Sequence, residues 1–322
     1  LYEEALQMMR RLFKDDHPYL AQSINNLAGL YYAMGRYNEA EPLFLQSRQI
    51  YFNILSNHFP YLSEREKAQF WNTIAFNFEF LKSFALKRYP ENPSILDTML
   101  TDILSTKGLL LNASLKIARI MAESNDDTLK QMYRQWQSLR KEITNYYNMT
   151  VKELILKGIN LDSLIERVNS MEREISRRAN LQGIAQQFEV INWRDVQKQL
   201  AEGEVLIEMT RFNYWDRRWT DTVIYAAFIV TKGSERPEVV YFWEGKQMEG
   251  EWYSEYRKYF ETNEKGERKI TEDDILSYKR YWQPIESKIP SKVKRVYLSC
   301  DGVYHKININ SLFNVEEDIY VL

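Results

Sequence analysis

Apolar positions recur every three or four residues up to about residue 190. Beyond it they gather in short β-branched and aromatic runs, so a helical portion precedes a strand-containing one. Between Pro18 and Pro60 the spacing predicts a helical hairpin. Leu27, Ala28 and Tyr31 share a face of its first helix, and Gly35 stands where a left-handed C-cap would end it. Ala40, Phe44 and Ser47 share a face of the second helix. Small side chains at Ala28, Ala40 and Ser47 allow close approach, with Tyr31, Tyr37 and Phe44 to fill the groove.

The unit recurs. Pro18-Tyr19-Leu20 returns 42 positions on as Pro60-Tyr61-Leu62, and the same shift lays Leu1 on Leu43, Tyr2 on Phe44, Met8 on Ile50 and Leu12 on Ile54. In the next copy Ala28 becomes Phe70, Gly35 becomes Asn77 and Ala40 becomes Lys82. Residues 64–87 are therefore expected to form a degenerate hairpin that caps the array, because solenoids need atypical ends. Leu1 aligns with a second helix whose first is missing, which implies that the array continues N-terminally in a parent protein.

Residues 91–190 read as a helical connector, with helices expected over 94–123, 128–157 and from Leu161 onward. Ser124-Asn125-Asp126-Asp127 supplies a loop and cap, and Gly158-Ile159-Asn160 a stop. Leu161, Leu164, Val168, Met171 and Ile175 alternate threes and fours, the narrow seam of a coiled-coil-type contact. In 191–322, Asn192 can cap a short helix over 193–200. Val205-Leu206-Ile207, residues 223–230 and Val239-Val240-Tyr241-Phe242 predict an antiparallel meander. Helices are expected near 251–260 and 272–282, then a buried-type strand Val296-Tyr297-Leu298-Ser299 closed by the turn Asp301-Gly302. Ile319-Tyr320-Val321-Leu322 looks like a strand beginning, an apolar exposed edge that implies a cut or processed end.

Composition narrows the function classes. Hydrophobic residues make up 44% and charged ones 27%, a globular balance. The formal net charge of -2 gives no general argument for nucleic acid or an anionic membrane as partner. One cysteine, Cys300, permits no internal disulfide and no Cys-based zinc spacing, and it suits a reducing cytoplasm. No secretory or membrane-spanning segment is visible.

Residues Leu27, Ala28, Tyr31, Gly35, Tyr37, Ala40 and Phe44, with the loop His58-Phe59-Pro60, resemble a tetratricopeptide repeat of the longer kinesin-light-chain variety. Downstream, residues 293–302 and Ile307-Asn308-Ile309-Asn310-Ser311-Leu312 resemble the opening of a CHAT domain, a caspase-like cysteine-peptidase module often fused to such repeats. Residues 59–66, Trp71-Asn72-Thr73 and Trp219-Thr220-Asp221 also resemble long repeat–CHAT proteins of bacteria, and Cys300 departs from the proline common at that turn. The resemblance implies a multidomain α plus α/β chain. Its parts would be a tetratricopeptide-like solenoid end (1–90), a helical connector (91–190) and the leading part of a caspase-like α/β domain (191–322).

Caspase-like chemistry needs a thiolate and a histidine. Cys300 with His17, His58 or His305 are the candidates, and each is set aside. Cys300 sits in the opening strand and not in the nucleophile's strand, His17 and His58 are cap positions beside prolines, and no His-Gly strand precedes Cys300. The resemblance places the dyad beyond Leu322. No catalytic, cofactor-binding or metal residue is assigned, and the partner-binding residues are left open. Arg211, Arg217 and Arg218 among Phe212, Tyr214, Trp215 and Trp219 could grip nucleic acid or a peptide, but a hairpin packed on the connector is preferred. Asp274 reads as a solvated helix start. The resulting expectation is the regulatory and scaffold portion of a cytoplasmic caspase-like protease. Its repeats would bind a protein or peptide, and the rest of the caspase-like domain would be a second partner. The alternative is a non-catalytic scaffold with a pseudo-caspase domain.

Overall fold

The computed structural model describes residues 1–13, 16–109, 121, 124–181, 190–258 and 272–321. They fall into two compact units, Leu1–Phe78 with Ser105–Val190, and Glu79–Leu104 with Ile191–Leu322.

The first unit opens with α1 (Tyr2–Leu12), α2 (Pro18–Ala33) and α3 (Tyr37–His58). Pro18 occupies the first turn of α2, and His17 caps it by accepting the Tyr19 N–H on Nδ1 at 3.2 Å. Gly35, at φ +73°, ends the hairpin's first helix as expected. Ala21, Ala28, Ala40 and Ser47 are buried between the helices, and the Ser47 hydroxyl donates to the Ala21 carbonyl at 2.8 Å. The groove is filled by Tyr32 and Phe44 with Tyr37 against Tyr32. Tyr31, expected there, is only half-buried and donates its hydroxyl to Glu3 at 2.7 Å.

The expected hairpin over 64–87 is instead one helix, α4 (Glu64–Arg88). At the position equivalent to Gly35, Asn77 has a Cβ and stays helical. Its amide is used twice in the interior: Oδ1 accepts from Asn25 Nδ2 at 3.0 Å, and Nδ2 donates to the Ile74 carbonyl at 3.0 Å. Nothing remains in the sequence to break the helix there.

The connector is also more divided than its periodicity suggested. Helix α5 (Ile95–Thr106) ends before Gly108, which adopts φ +74°; most of the remaining stretch to 123 lies outside the described residues. The helix expected over 128–157 is two, α6 (Asp127–Tyr146) and α7 (Val151–Leu156). Thr150 starts the second with a capping box, its hydroxyl accepting the Glu153 N–H while Glu153 accepts the Thr150 N–H at 2.7 Å. Asp126 caps α6 at 3.0 Å through the Leu129 N–H. The seam Leu161, Leu164, Val168, Met171 and Ile175 lies on α8 (Leu161–Leu181) and packs with Leu129, Trp136 and Ile143 of α6.

In the second unit Asn192 caps α9 (Trp193–Gln199) as expected. Strands β1 (Glu204–Trp215), β2 (Trp219–Thr231) and β3 (Glu238–Phe242) form the expected meander. The sequence marks only the start of β1, because Glu208 and Arg211 interrupt the apolar run. The strand continues because both are paired, Glu208 with the Ser299 hydroxyl at 2.9 Å and Arg211 with Glu249 at 2.7 Å. Four short helices follow among the described residues: α10 (Gly245–Glu249), α11 (Glu251–Lys258), α12 (Glu272–Tyr281) and α13 (Gln283–Glu286). Then β4 (Arg295–Ser299) runs parallel to β1, giving the order β3-β2-β1-β4. It was read as a buried strand. It is half-exposed, because among the described residues it has one strand neighbour. Val205, Ile207, Met209, Tyr225, Tyr281 and Trp282 centre the core on one face of this sheet. The final strand-like stretch is β6 (Ile319–Tyr320), exposed and paired with β5 (Phe313–Asn314) in a separate two-stranded sheet.

Candidate functional site

Helix α2 turns Ala21, Ile24, Leu27 and Ala28 inward, which leaves Tyr19, Gln22, Asn26, Leu30 and Met34 on its outer face. Leu30 is 37% and Met34 58% exposed. On the first half of α4 the exposed positions are Arg65, Gln69, Asn72, Thr73 and Phe76, the last 40% exposed. The 42-residue shift sets Leu30 against Asn72 and Met34 against Phe76, so these two exposed positions recur on α4. The buried Asn25–Asn77 hydrogen bond links the two helices. Gln22, Asn26, Gln69 and Asn72 bring side-chain amides that can pair with a peptide backbone. Leu30, Met34 and Phe76 bring apolar surface to take its side chains. Exposed amide and apolar side chains of this kind suit an extended or helical protein segment better than a small charged ligand.

A tightly specified turn follows β4 in the second unit. Asp301 Oδ2 accepts the Arg211 N–H and Oδ1 the Gly302 N–H, each at 2.8 Å. The buried Tyr225 hydroxyl accepts the Val303 N–H and donates to Glu249 Oε1, each at 2.8 Å. Burial pushes the Tyr225 phenol up. Burial also pushes Glu249 up, but its bonds from Arg211 and Tyr225, with the Arg211 charge, leave it below the ordinary carboxylate value. Gly302 has φ +53°, and a Cβ there would lie 2.0 Å from the Tyr225 oxygen. The turn is therefore a rigid structural corner.

Cys300, beside this corner, is half-buried and packs on the apolar core of the sheet. His305 is exposed at the end of the 3-10 turn Gly302–His305. His17 is a helix cap, and His58 is exposed at the last residue of α3. The basic–aromatic group is dispersed. Arg211 pairs with Glu249, while Arg217 takes φ +59° in the hairpin turn. Phe212 and Tyr214 are buried. The Trp215 ring packs at a tilt on Phe80, centroids 4.4 Å apart, and its backbone N–H donates to the Ser83 hydroxyl at 3.0 Å. The hairpin thus packs on α4 through Phe80 and Ser83. Asp274 falls in the first turn of α12. Among the described residues no group of three or more His, Cys, Asp or Glu could hold a metal ion, and no helix is long and apolar enough to cross a membrane.

The exposed pattern of α2 was not singled out by sequence reasoning, which followed the buried positions. Its signal was available in the 42-residue register, where Leu30, Met34 and Phe76 fall off the core face.

Residues 1–51 match the family model described as tetratricopeptide repeat. Neither the curated proteins nor the solved structures gave a match. The matched segment covers α1, α2 and most of α3. The chain thus begins with helices of tetratricopeptide type, followed by a small mixed sheet, and repeats of this type generally serve protein–protein interaction.

Proposed function

We propose that the chain is the partner-binding, scaffold portion of a cytoplasmic repeat–CHAT protease, and that its repeats receive a protein segment on the outer faces of α2 and the start of α4. The observation that carries the reading is the repeated exposure of Leu30, Met34 and Phe76 next to side-chain amides in helices of tetratricopeptide type. The parallel β1–β4 pair, running into a corner that only glycine fits, supports the CHAT-like part. In this reading residues 1–90 are repeats, 91–190 a connector and 191–322 the start of the caspase-like domain. The catalytic His/Cys pair would lie outside residues 1–322.

The binding half is tested by selecting displayed random peptides on the whole chain. Selected peptides are expected to bind at least about tenfold more weakly to the Leu30→Glu/Phe76→Glu double variant, the usual cost of losing central apolar anchors. Affinity unchanged in a variant that remains folded would refute the assignment. The protease half is tested on the chain extended through the codons after residue 322. Thiol-dependent cleavage of a casein substrate that survives Cys300→Ala is expected. Cleavage by residues 1–322 alone that Cys300→Ala abolishes would overturn it.

A further inference from the structure

Among the described residues of the first unit, two apolar clusters share no member. One gathers Leu6, Ile24, Leu27, Tyr51, Ile54, Phe59 and Ile74 of α1–α4 and the turn Phe59–Tyr61. The other gathers Leu129, Trp136, Ile143, Val168 and Ile175 of α6 and α8. Helix α8 lies against the Phe59–Tyr61 turn. The named bonds across this junction are polar. Buried Glu172 of α8 accepts the Glu64 backbone N–H at 2.8 Å, covering one of the unpaired donors at the start of α4. Arg173 Nη1 reaches Glu66 Oε1 at 2.7 Å, and Arg140 Nη1 of α6 reaches Glu64 Oε2 at 3.2 Å. Glu66 also accepts the Ser63 N–H at 2.9 Å, so the carboxylate that closes the local cap is the one that holds Arg173.

Two of these links hold weakly. Both arginine pairs are more than a third exposed on the arginine side and are open to water and salt. Glu172 is costly to bury as a carboxylate; burial pushes its pKa up, against the Glu64 N–H and the Lys67 charge. The hairpin also buries Trp136 Nε1 and Ser176 Oγ without a partner among the described residues, groups that water could pair on opening. Each side has its own apolar cluster among the described residues.

We propose that the α6–α8 hairpin is a releasable latch on the end of the repeat helices. Docked, it caps the start of α4 through Glu172 and covers the Phe59–Tyr61 turn. Released, it bares both while its own core stays intact. The latch is a property of the chain by itself and stands whether or not a partner binds α2.

Hydrogen exchange on the whole chain tests it, comparing wild type with Glu172→Ala and with Arg140→Ala/Arg173→Ala at neutral pH. Amides over 59–67 are expected to exchange at least about tenfold faster in the variants, while those over 24–32 of α2 and 129–143 of α6 keep their protection. Unchanged exchange over 59–67 would mean that the hairpin is fused to the repeats. Loss of protection over 129–143 at the same time would mean that it is not a separate body. A salt series on the wild type, from about 50 mM to about 1 M NaCl, gives the same readout without a variant that has to fold. Salt-independent exchange over 59–67 there overturns the latch.

Discussion

Replacing Gly302 with alanine should be among the most damaging single-methyl changes in the second unit, and Tyr225 is the reason. The added Cβ would lie 2.0 Å from the Tyr225 oxygen and 2.8 Å from Cζ, on a backbone at φ +53°. The left-handed backbone alone costs about 1–2 kcal/mol for a residue with a Cβ. Tyr225 is fully buried, so it cannot swing aside without overpacking its neighbours, about 1–3 kcal/mol more. Moving its oxygen also strains the bonds to Val303 and Glu249, worth about 1 kcal/mol each. Together these give roughly 4–7 kcal/mol. Tyr225→Phe alone should cost about 2 kcal/mol, because it leaves the buried Val303 N–H without its partner. In the double variant the contact at 2.0 Å is gone, so the two costs should fall short of additive by about 1–2 kcal/mol. Urea denaturation followed by tryptophan fluorescence reads this cycle, since Trp193, Trp215, Trp219, Trp243, Trp252 and Trp282 all belong to the second unit. Strict additivity, or a Gly302→Ala protein as stable as wild type, would refute the argument.

Gly35→Ala should cost only about 1 kcal/mol in the same kind of denaturation experiment, because φ is +73° but nothing lies within 4 Å of the new Cβ; a loss as large as at Gly302 would contradict this. Asn77→Leu should destabilise the first unit by about 1–3 kcal/mol by leaving the buried Asn25 amide unpaired, and a thermally unchanged variant would count against that bond. Glu249 titrates below its ordinary value when folded, so the unfolded chain binds the proton more readily. Its stabilisation is complete above about pH 4.3 and is lost as pH falls through the lower folded value; Glu249→Gln should flatten that acid limb in denaturation curves, and an unaltered limb would assign it to other carboxylates. Thr150→Ala should remove about 1 kcal/mol of helix start and speed amide exchange over 151–156, with unchanged exchange showing the capping box to be idle.

The sequence announced its elements where a backbone rule was local. Gly35, Asp126, Gly158 and Asn192 each end or begin a helix by a stereochemical preference that needs no tertiary context. It misled where a tertiary partner decided. Asn77 looked like a worn turn position, yet its partner is Asn25, 52 residues away. Tyr31 and Tyr32 are adjacent, so a small rotation of the helix chooses which one fills the groove, and spacing alone does not fix it. β1 looked short because Glu208 and Arg211 seemed to end it, and their partners Ser299 and Glu249 come from distant segments. The candidate face had the opposite difficulty: exposed positions have few packing rules, and only the 42-residue register links Met34 to Phe76.

Where a bound protein segment lies is the most direct test of a repeat-borne binding face. Hydrogen exchange of the whole chain, with and without a saturating peptide selected against it, locates that segment without any substitution. Protection confined to residues 19–34 and 65–76 is the expected footprint. Protection confined to the strands β1 and β2, with α2 and α4 unchanged, would contradict a repeat-borne binding face.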